Sequence, residues 1–240
     1  MSSVHRVTAQ NFTFNRQFLK FACKKSFFLR RLWYILIAMK KRELVKKTID
    51  DAGGIARTAD LVAAGVSKTL LDSMVADGEL VRIRHGYYRI ADEKNYVPEP
   101  RYLKTLLPEG VVCMYSALFY HGYSDFTPRQ WDVAVPRNIA LSRLRFEDVP
   151  IQPYFVRQEI FDIGITTMEF EGIELPIYDR ERTICDCFRY YKKLDRETFV
   201  KAVKNYALDE RQKIPTLTRY ARALGVYQPV FKLMGVLIGS

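Results

Sequence analysis

Residues 55–90, IARTADLVAAGVSKTLLDSMVADGELVRIRHGYYRI, leave the chain little freedom of fold. A helical pattern over 59–64 follows Thr58, an N-cap residue type, and stops at Gly65. Ser67 stands as N-cap before a second helical pattern over 68–77, which Gly78 ends. Residues 80–84 then alternate as a strand, His85-Gly86 allows a reversal, and 87–90 return. Two short helices across a tight turn, followed by a small hairpin, outline a winged helix-turn-helix. That module lays its second helix in a DNA groove.

The second helix carries Leu70, Leu71, Met74 and Val75 on one face. At about 100° per residue, Thr69, Asp72, Ser73 and Ala76 face the opposite way, with Lys68 at the edge. Small polar side chains there suit a helix that must approach base edges closely, so Ser67, Lys68, Thr69, Asp72 and Ser73 are the candidate readers. Arg82, Arg84 and Arg89 crowd the hairpin tip, as a wing reaching a phosphate backbone requires. The same module can also serve protein contacts alone, with its charges merely solvated. Upstream, Leu44, Val45, Thr48 and Ile49 recur at helical spacing over 40–52. Lys40, Lys41, Arg42, Lys46 and Lys47 cover the rest of that helix, and Gly53-Gly54 ends it.

Net charge is +11 over 240 residues, but it is unevenly placed. Residues 1–39 hold seven Lys/Arg and no Asp or Glu, 40–92 hold ten basic and eight acidic groups, and 93–240 hold 21 and 19. The folded part is thus only mildly basic, and charge alone makes no case for nucleic acid. Residues 1–38 show no clear architecture. Their apolar run 32–38 falls short of the about 20 residues a spanning helix needs, and Arg30-Arg31 separates it from 27–29. Two readings stand: a basic, aromatic arm touching DNA phosphates or a membrane surface, or an extension outside the fold with synthesis starting at Met39. Cys23, Cys113, Cys185 and Cys187 fit no disulfide or zinc pattern with His5, His85 or His121, and read as reduced thiols in a cytoplasmic protein.

The expected organisation is an N-terminal extension over 1–38, a winged helix-turn-helix over 39–92, a linker over 93–100 and a second domain over 101–240. In the second domain a buried helix is expected over 114–121, strands over 131–135, 151–156, 164–170 and 173–178, and helices over 179–191, 195–208, 215–224 and 228–237. Asp179 and Asp195 stand as N-caps, Pro215 and Pro229 suit first turns, and Glu171-Gly172 suits a hairpin turn. Strands followed by helices predict an α+β fold, with a mixed α/β domain after the winged helix, and not a doubly wound sheet.

Two stretches resemble a known family. GGIARTADLVAAGVSKTLLDSMVADGELVRIRHGYYRI is similar to the N-terminal winged helix of the AbiEi antitoxins of bacterial abortive-infection systems. YSALFYHGYSDFTPRQWDVAVP, with LPIYDRERTICDCFRYYKKLD farther on, is similar to that family's C-terminal antitoxin domain, so the resemblance runs from about Met39 to the C-terminus. It implies a type IV antitoxin whose first domain binds operator DNA and represses its own operon. Its second domain would counter a nucleotidyltransferase-like toxin without a stable complex. Carried onto this chain, the C-terminal motif falls on Tyr178, Arg180, Arg182, Thr183 and Asp186. Ile184, Phe188 and Tyr191 share a helical face and should be core; Asp186 lies about 200° from Ile184 and should point outward, as a solvated charge or as a contact to a partner or the other domain.

The rival class is an enzyme anchored by the winged helix. No Gly-rich phosphate loop, metal-type His/Cys cluster or serine elbow occurs, so neither cofactor nor metal is expected. Glu169 and Glu171 could pair on a strand face to hold a metal, but exposed acids beside a hairpin turn are far commoner. His121, next to Gly122, reads as a helix-end cap of carbonyls and not as a base. The non-enzyme alternative is a winged-helix transcription factor whose second domain senses a ligand or a protein, with no toxin.

Overall fold

The computed structural model describes residues 27–92, 94–145 and 148–238, which form two compact units. The first is built from residues up to Arg82 together with Gly86–Asp92; the second holds Ile83–His85 and the chain from residue 93 on. Residues 1–26, with Cys23 and most of the expected N-terminal arm, lie outside the described residues. The rest of that arm is helical. Helix α1 spans Phe27–Asp51, running straight through Met39. Its C-terminal turns bury Val45 and Ile49, whereas Leu32, Tyr34, Ile35, Leu36 and Met39 remain on the surface. Among the described residues no helix is long and apolar enough to cross a membrane.

After α1 the first unit follows the winged-helix order: β1 (Ala56–Arg57), α2 (Thr58–Ala63), α3 (Lys68–Ala76), β2 (Leu80–Arg84) and β3 (Tyr87–Ile90). The sheet order is β1-β3-β2. Ser67 caps α3 as its sequence position demands, its side chain accepting from the Leu70 amide at 3.3 Å. Thr58 does not cap α2. Arg57 occupies that place, because the Thr58 amide donates to the Gly86 carbonyl at 2.8 Å and draws Thr58 into the first turn. Leu61, Val66, Leu71, Met74, Leu80 and Tyr88 close a small apolar core with Val45 and Ile49.

In the second unit five strands form one mixed sheet, ordered β6 (Ile151–Val156), β5 (Trp131–Pro136), β4 (Val111–Val112), β8 (Ile173–Tyr178) and β7 (Ile165–Phe170). Pairs β5–β6 and β4–β8 are parallel; β4–β5 and β7–β8 are antiparallel. Phe170 pairs Ile173 across the two-residue turn Glu171-Gly172, both at positive φ (49° and 73°), the geometry of a type I′ hairpin. The helices are α4 (Glu99–Leu106), α5 (Met114–Tyr120), the short α6 (Gln158–Phe161), α7 (Arg180–Arg189), α8 (Arg196–Leu208), α9 (Ile214–Ala223) and α10 (Tyr227–Ile238). Helix α4 begins inside the stretch expected as linker. Pro100 lies in its first turn, where a missing N–H costs nothing.

Helix α7 is the centre of this unit, touching α5, α8, α9 and α10. Asp179 caps it, accepting from the Arg182 amide at 2.8 Å. Enclosure on all sides overturns the expectation that Asp186 points to solvent. Asp186 is 2% exposed and Arg182 is fully buried. The Arg182 guanidinium pairs with Asp186 at 3.0 Å, donates to the carbonyls of Ile160 (2.6 Å) and Ile163 (2.8 Å), and lies 4.0 Å from the Tyr178 ring centroid. Gly164 (φ +79°) permits this approach, since a Cβ there would stand 2.6 Å from the Arg182 Cβ.

Removing one partner strands a buried charge. Asp186→Ala should therefore destabilise the second unit by about 3–5 kcal/mol, and the apolar double replacement Arg182→Met with Asp186→Leu should cost less than that single change. Denaturant unfolding of the three chains checks this; a single variant within 1 kcal/mol of wild type would refute it.

Candidate nucleic-acid interface

The chemistry-bearing surface of the first unit is set by what α3 leaves free. Leu71 and Met74 are buried and hold the helix to the core. Ser67, Lys68, Thr69 and Asp72 are exposed, at the N-cap and along the first turns. The N-terminus of a helix adds partial positive charge and free amides to the lysine there, a combination that receives phosphate. Ser73 differs from the other candidate readers. It is half-buried, its hydroxyl donating to Asp77 at 3.3 Å and accepting from Arg42 at 3.4 Å.

That contact belongs to a charge cluster that sequence reading had spread over an open basic face. Arg42 pairs with Asp77 at 2.6 Å and with Glu79, and Lys46 pairs with Glu79 at 2.8 Å. Side-chain bonds to Asp77 and Glu79 raise the Arg42 pKa, the Arg42 bond lowers that of Asp77, and the Lys46 bond, with the Arg42 bond behind it, lowers that of Glu79, each opposed by partial desolvation. Two of the seven basic residues of α1 thus serve the fold of the unit by tying α1 to the segment after α3. They are not a free phosphate-binding face.

The three wing arginines also part company. Arg82 is exposed. Arg89 is half-buried, donating to the Ile90 carbonyl at 3.2 Å. Arg84 clusters with the second unit, within which it donates to the carbonyls of Leu106 (2.8 Å) and Arg143 (3.2 Å). The expectation of three arginines at one tip is corrected on this point: two main-chain acceptors hold the Arg84 guanidinium.

The residues of the C-terminal motif come together, but inward. Tyr178 and Arg182 are 0% exposed, Thr183 1% and Asp186 2%. The Tyr178 carbonyl accepts from the Thr183 hydroxyl at 3.2 Å and from His121 Nε2 at 2.8 Å, while its own hydroxyl donates to the Phe161 carbonyl at 2.9 Å. His121 therefore caps a carbonyl at the end of β8 and not one of its own helix. Burial lowers its pKa to about 4, against the Tyr178 hydrogen bond, so the ring is neutral at neutral pH. Glu181 is buried too, accepting from the Tyr206 hydroxyl (3.2 Å) and the Lys213 amide (2.8 Å). Of the motif only Arg180 is left half-buried, 3.4 Å from Asp209.

One polar group went unread in the sequence. Asp132 lies on β5, 2% exposed, and its carboxylate accepts from the Tyr115 amide at 2.9 Å. It lines a cavity of about 450 Å³ with Tyr115, Phe126, Arg129 and Asp195. Burial raises its pKa to about 6, partly offset by the Tyr115 hydrogen bond. The signal was a single acid in the strand WDVAVP, where alternation alone made it a solvent-facing position. The three described cysteines, Cys113, Cys185 and Cys187, are free and buried. Among the described residues no group of His, Cys, Asp and Glu could hold a metal ion.

Residues 43–91 match the family model described as transcriptional regulator, AbiEi antitoxin. No curated protein matches the chain. In fold it is similar to the crystal structure of the RV2827C protein from Mycobacterium tuberculosis, with a TM-score of 0.52 and 12% identity over 83% of this chain and 81% of that one. At that identity the likeness speaks for a shared architecture alone.

Asp132 makes stability depend on pH with a definite sign. Its folded pKa is raised from 3.8 to about 6, so its contribution is fully present below about pH 3.8 and lost as pH rises through 6. Asp132→Asn should accordingly be more stable than wild type at about pH 7.5, and that advantage should vanish by about pH 4. Unfolding curves at the two pH values check the sign.

Proposed function

We propose that this chain is a DNA-binding repressor of its own operon and the antitoxin of a type IV toxin–antitoxin pair, acting in the cytoplasm. In this reading the first unit supplies the DNA address and the second opposes a nucleotidyltransferase-like toxin without forming a stable complex with it. The chain acts by binding, with no catalytic turnover and no cofactor. The observation that carries the DNA half is the exposed, cationic start of α3, with Lys68, Thr69 and Asp72 free on the surface and Arg82 exposed on the wing of the same unit. The similarity of residues 43–91 to the AbiEi antitoxin family model supports the same reading. For the antitoxin half the support is the resemblance of the C-terminal motif. Four of its residues build the core, so the antitoxin role, where the motif takes part directly, falls on Arg180.

A second reading is favoured by the cavity beside Asp132: a winged-helix regulator whose second unit senses a small ligand. The neighbouring gene separates the two, since a nucleotidyltransferase-like reading frame directly downstream belongs only to the first.

Arg82→Ala should weaken binding to all DNA sequences alike and reduce the slope of log affinity against log salt by about 1, the share of one phosphate contact. Thr69→Ala should instead change preference among operator variants by about 1–3 kcal/mol at the affected base pair. Salt-titrated fluorescence anisotropy reads both, and an unchanged slope in the arginine variant refutes the wing assignment. Deleting residues 91–240 should abolish rescue of cells expressing the toxin while DNA binding persists; rescue by the first unit alone would contradict the division of labour.

A further inference from the structure

The cavity beside Asp132 has features that the fold of the second unit does not require. Its floor is a buried carboxylate with one hydrogen bond, from the Tyr115 amide. A buried acid in that position accepts further N–H donors, and the described residues supply none beyond that amide. Its wall is aromatic and fixed. The Tyr115 hydroxyl donates to the Asp195 carboxylate and accepts from the Asp195 amide, both at 3.1 Å, so the ring is tethered through its hydroxyl to two groups of one residue. Phe126 meets it edge-on, with centroids 5.9 Å apart, and is itself 53% exposed. Asp195 is committed to this support and to capping α8, where it accepts from the Thr198 amide at 2.7 Å. At the rim stands Arg129, exposed, with no ion-pair partner among the described residues.

A ligand that suits all three parts carries N–H donors at one end, a flat ring between, and an anion at the other end. The volume, about 450 Å³, lies within the range of sites for small molecules. We infer that this cavity binds a nucleoside phosphate, with the base against Tyr115 and Phe126, its donor edge on Asp132 and the phosphate on Arg129. Aromatic faces accept a base by stacking, and a guanidinium accepts phosphate in charge-assisted pairs. Among the four bases, guanine alone sets a ring N–H beside an exocyclic amino group, two adjacent donors for one carboxylate. Adenine and cytosine place a ring lone pair next to their amino group, and uracil flanks its N–H with carbonyls; both arrangements repel an ionised acid. The inference is independent of the antitoxin reading and deepens the ligand-sensing one, for which it names the class of ligand that this cavity takes.

Calorimetric titration of the full chain with GMP, AMP, CMP and UMP is the test. GMP should bind about tenfold or more tightly than the other three. Asp132→Asn, which keeps an acceptor for the Tyr115 amide, should abolish that preference. Arg129→Ala, on an exposed residue that the fold does not use, should weaken GMP by about tenfold and leave guanosine unaffected. Operator binding by both variants should stay at the wild-type level, which separates failure here from failure of the DNA reading. A short single-stranded RNA ending in guanosine distinguishes a strand end from a free nucleotide as the source, and tight binding of either supports the site. No binding at about millimolar nucleotide, or GMP binding unchanged in both variants, overturns it.

Discussion

The second unit depends on one buried cation. An arginine cannot shed its proton at any ordinary pH, so a chain that encloses it must surround it with acceptors. Arg182 is met by a carboxylate, two carbonyls and an aromatic face. Those acceptors come from α7 itself, from the α6 region and from the end of β8. The guanidinium therefore pins the last strand of the sheet to the helix that four other helices surround. The spacing of the D-R-E-R-T-I-C-D stretch is then a requirement of folding: a capping Asp, a buried Arg, a Thr returning to the Tyr178 carbonyl, and an Asp one turn on to answer the charge.

A different use of charge shapes the first unit. Arg42 and Lys46 neutralise Asp77 and Glu79 and draw the Ser73 hydroxyl into the same cluster. This pairing is partly exposed, so its worth is modest and salt-sensitive. Its consequence lies in what remains outside it: Lys68, Thr69 and Asp72 on α3, and Arg82 on the wing, keep their side chains available. The DNA reading rests on these few groups and not on the net charge of +11, much of which belongs to residues 1–39.

Where local rules act, the sequence was readable. Hairpin 80–90 emerges from alternation and Gly86, and caps Ser67, Asp179 and Asp195 each bind the amide three residues on. The two-residue strands β1 and β4 were not legible, because so short a strand is defined by its partner and not by its own pattern. Helix α4 was hidden by prolines, and α6 has only four residues. The site was less legible than the fold. A helical wheel separates one face from the other but does not say that both are covered, which is how Asp186 was placed in solvent. Nor does spacing say which carbonyl awaits Arg84, or that the acid of WDVAVP is enclosed. Those facts depend on contacts between residues far apart in sequence.

The proposed target of the first unit is DNA at the chain's own operon. Footprinting of the full chain on the DNA immediately upstream of its coding sequence measures this directly, with a random fragment of the same length as control. The account predicts a discrete protected site, bound in preference to the control, whose protection fades as salt is raised. Uniform coverage of both fragments, or no protection at low salt, would contradict it.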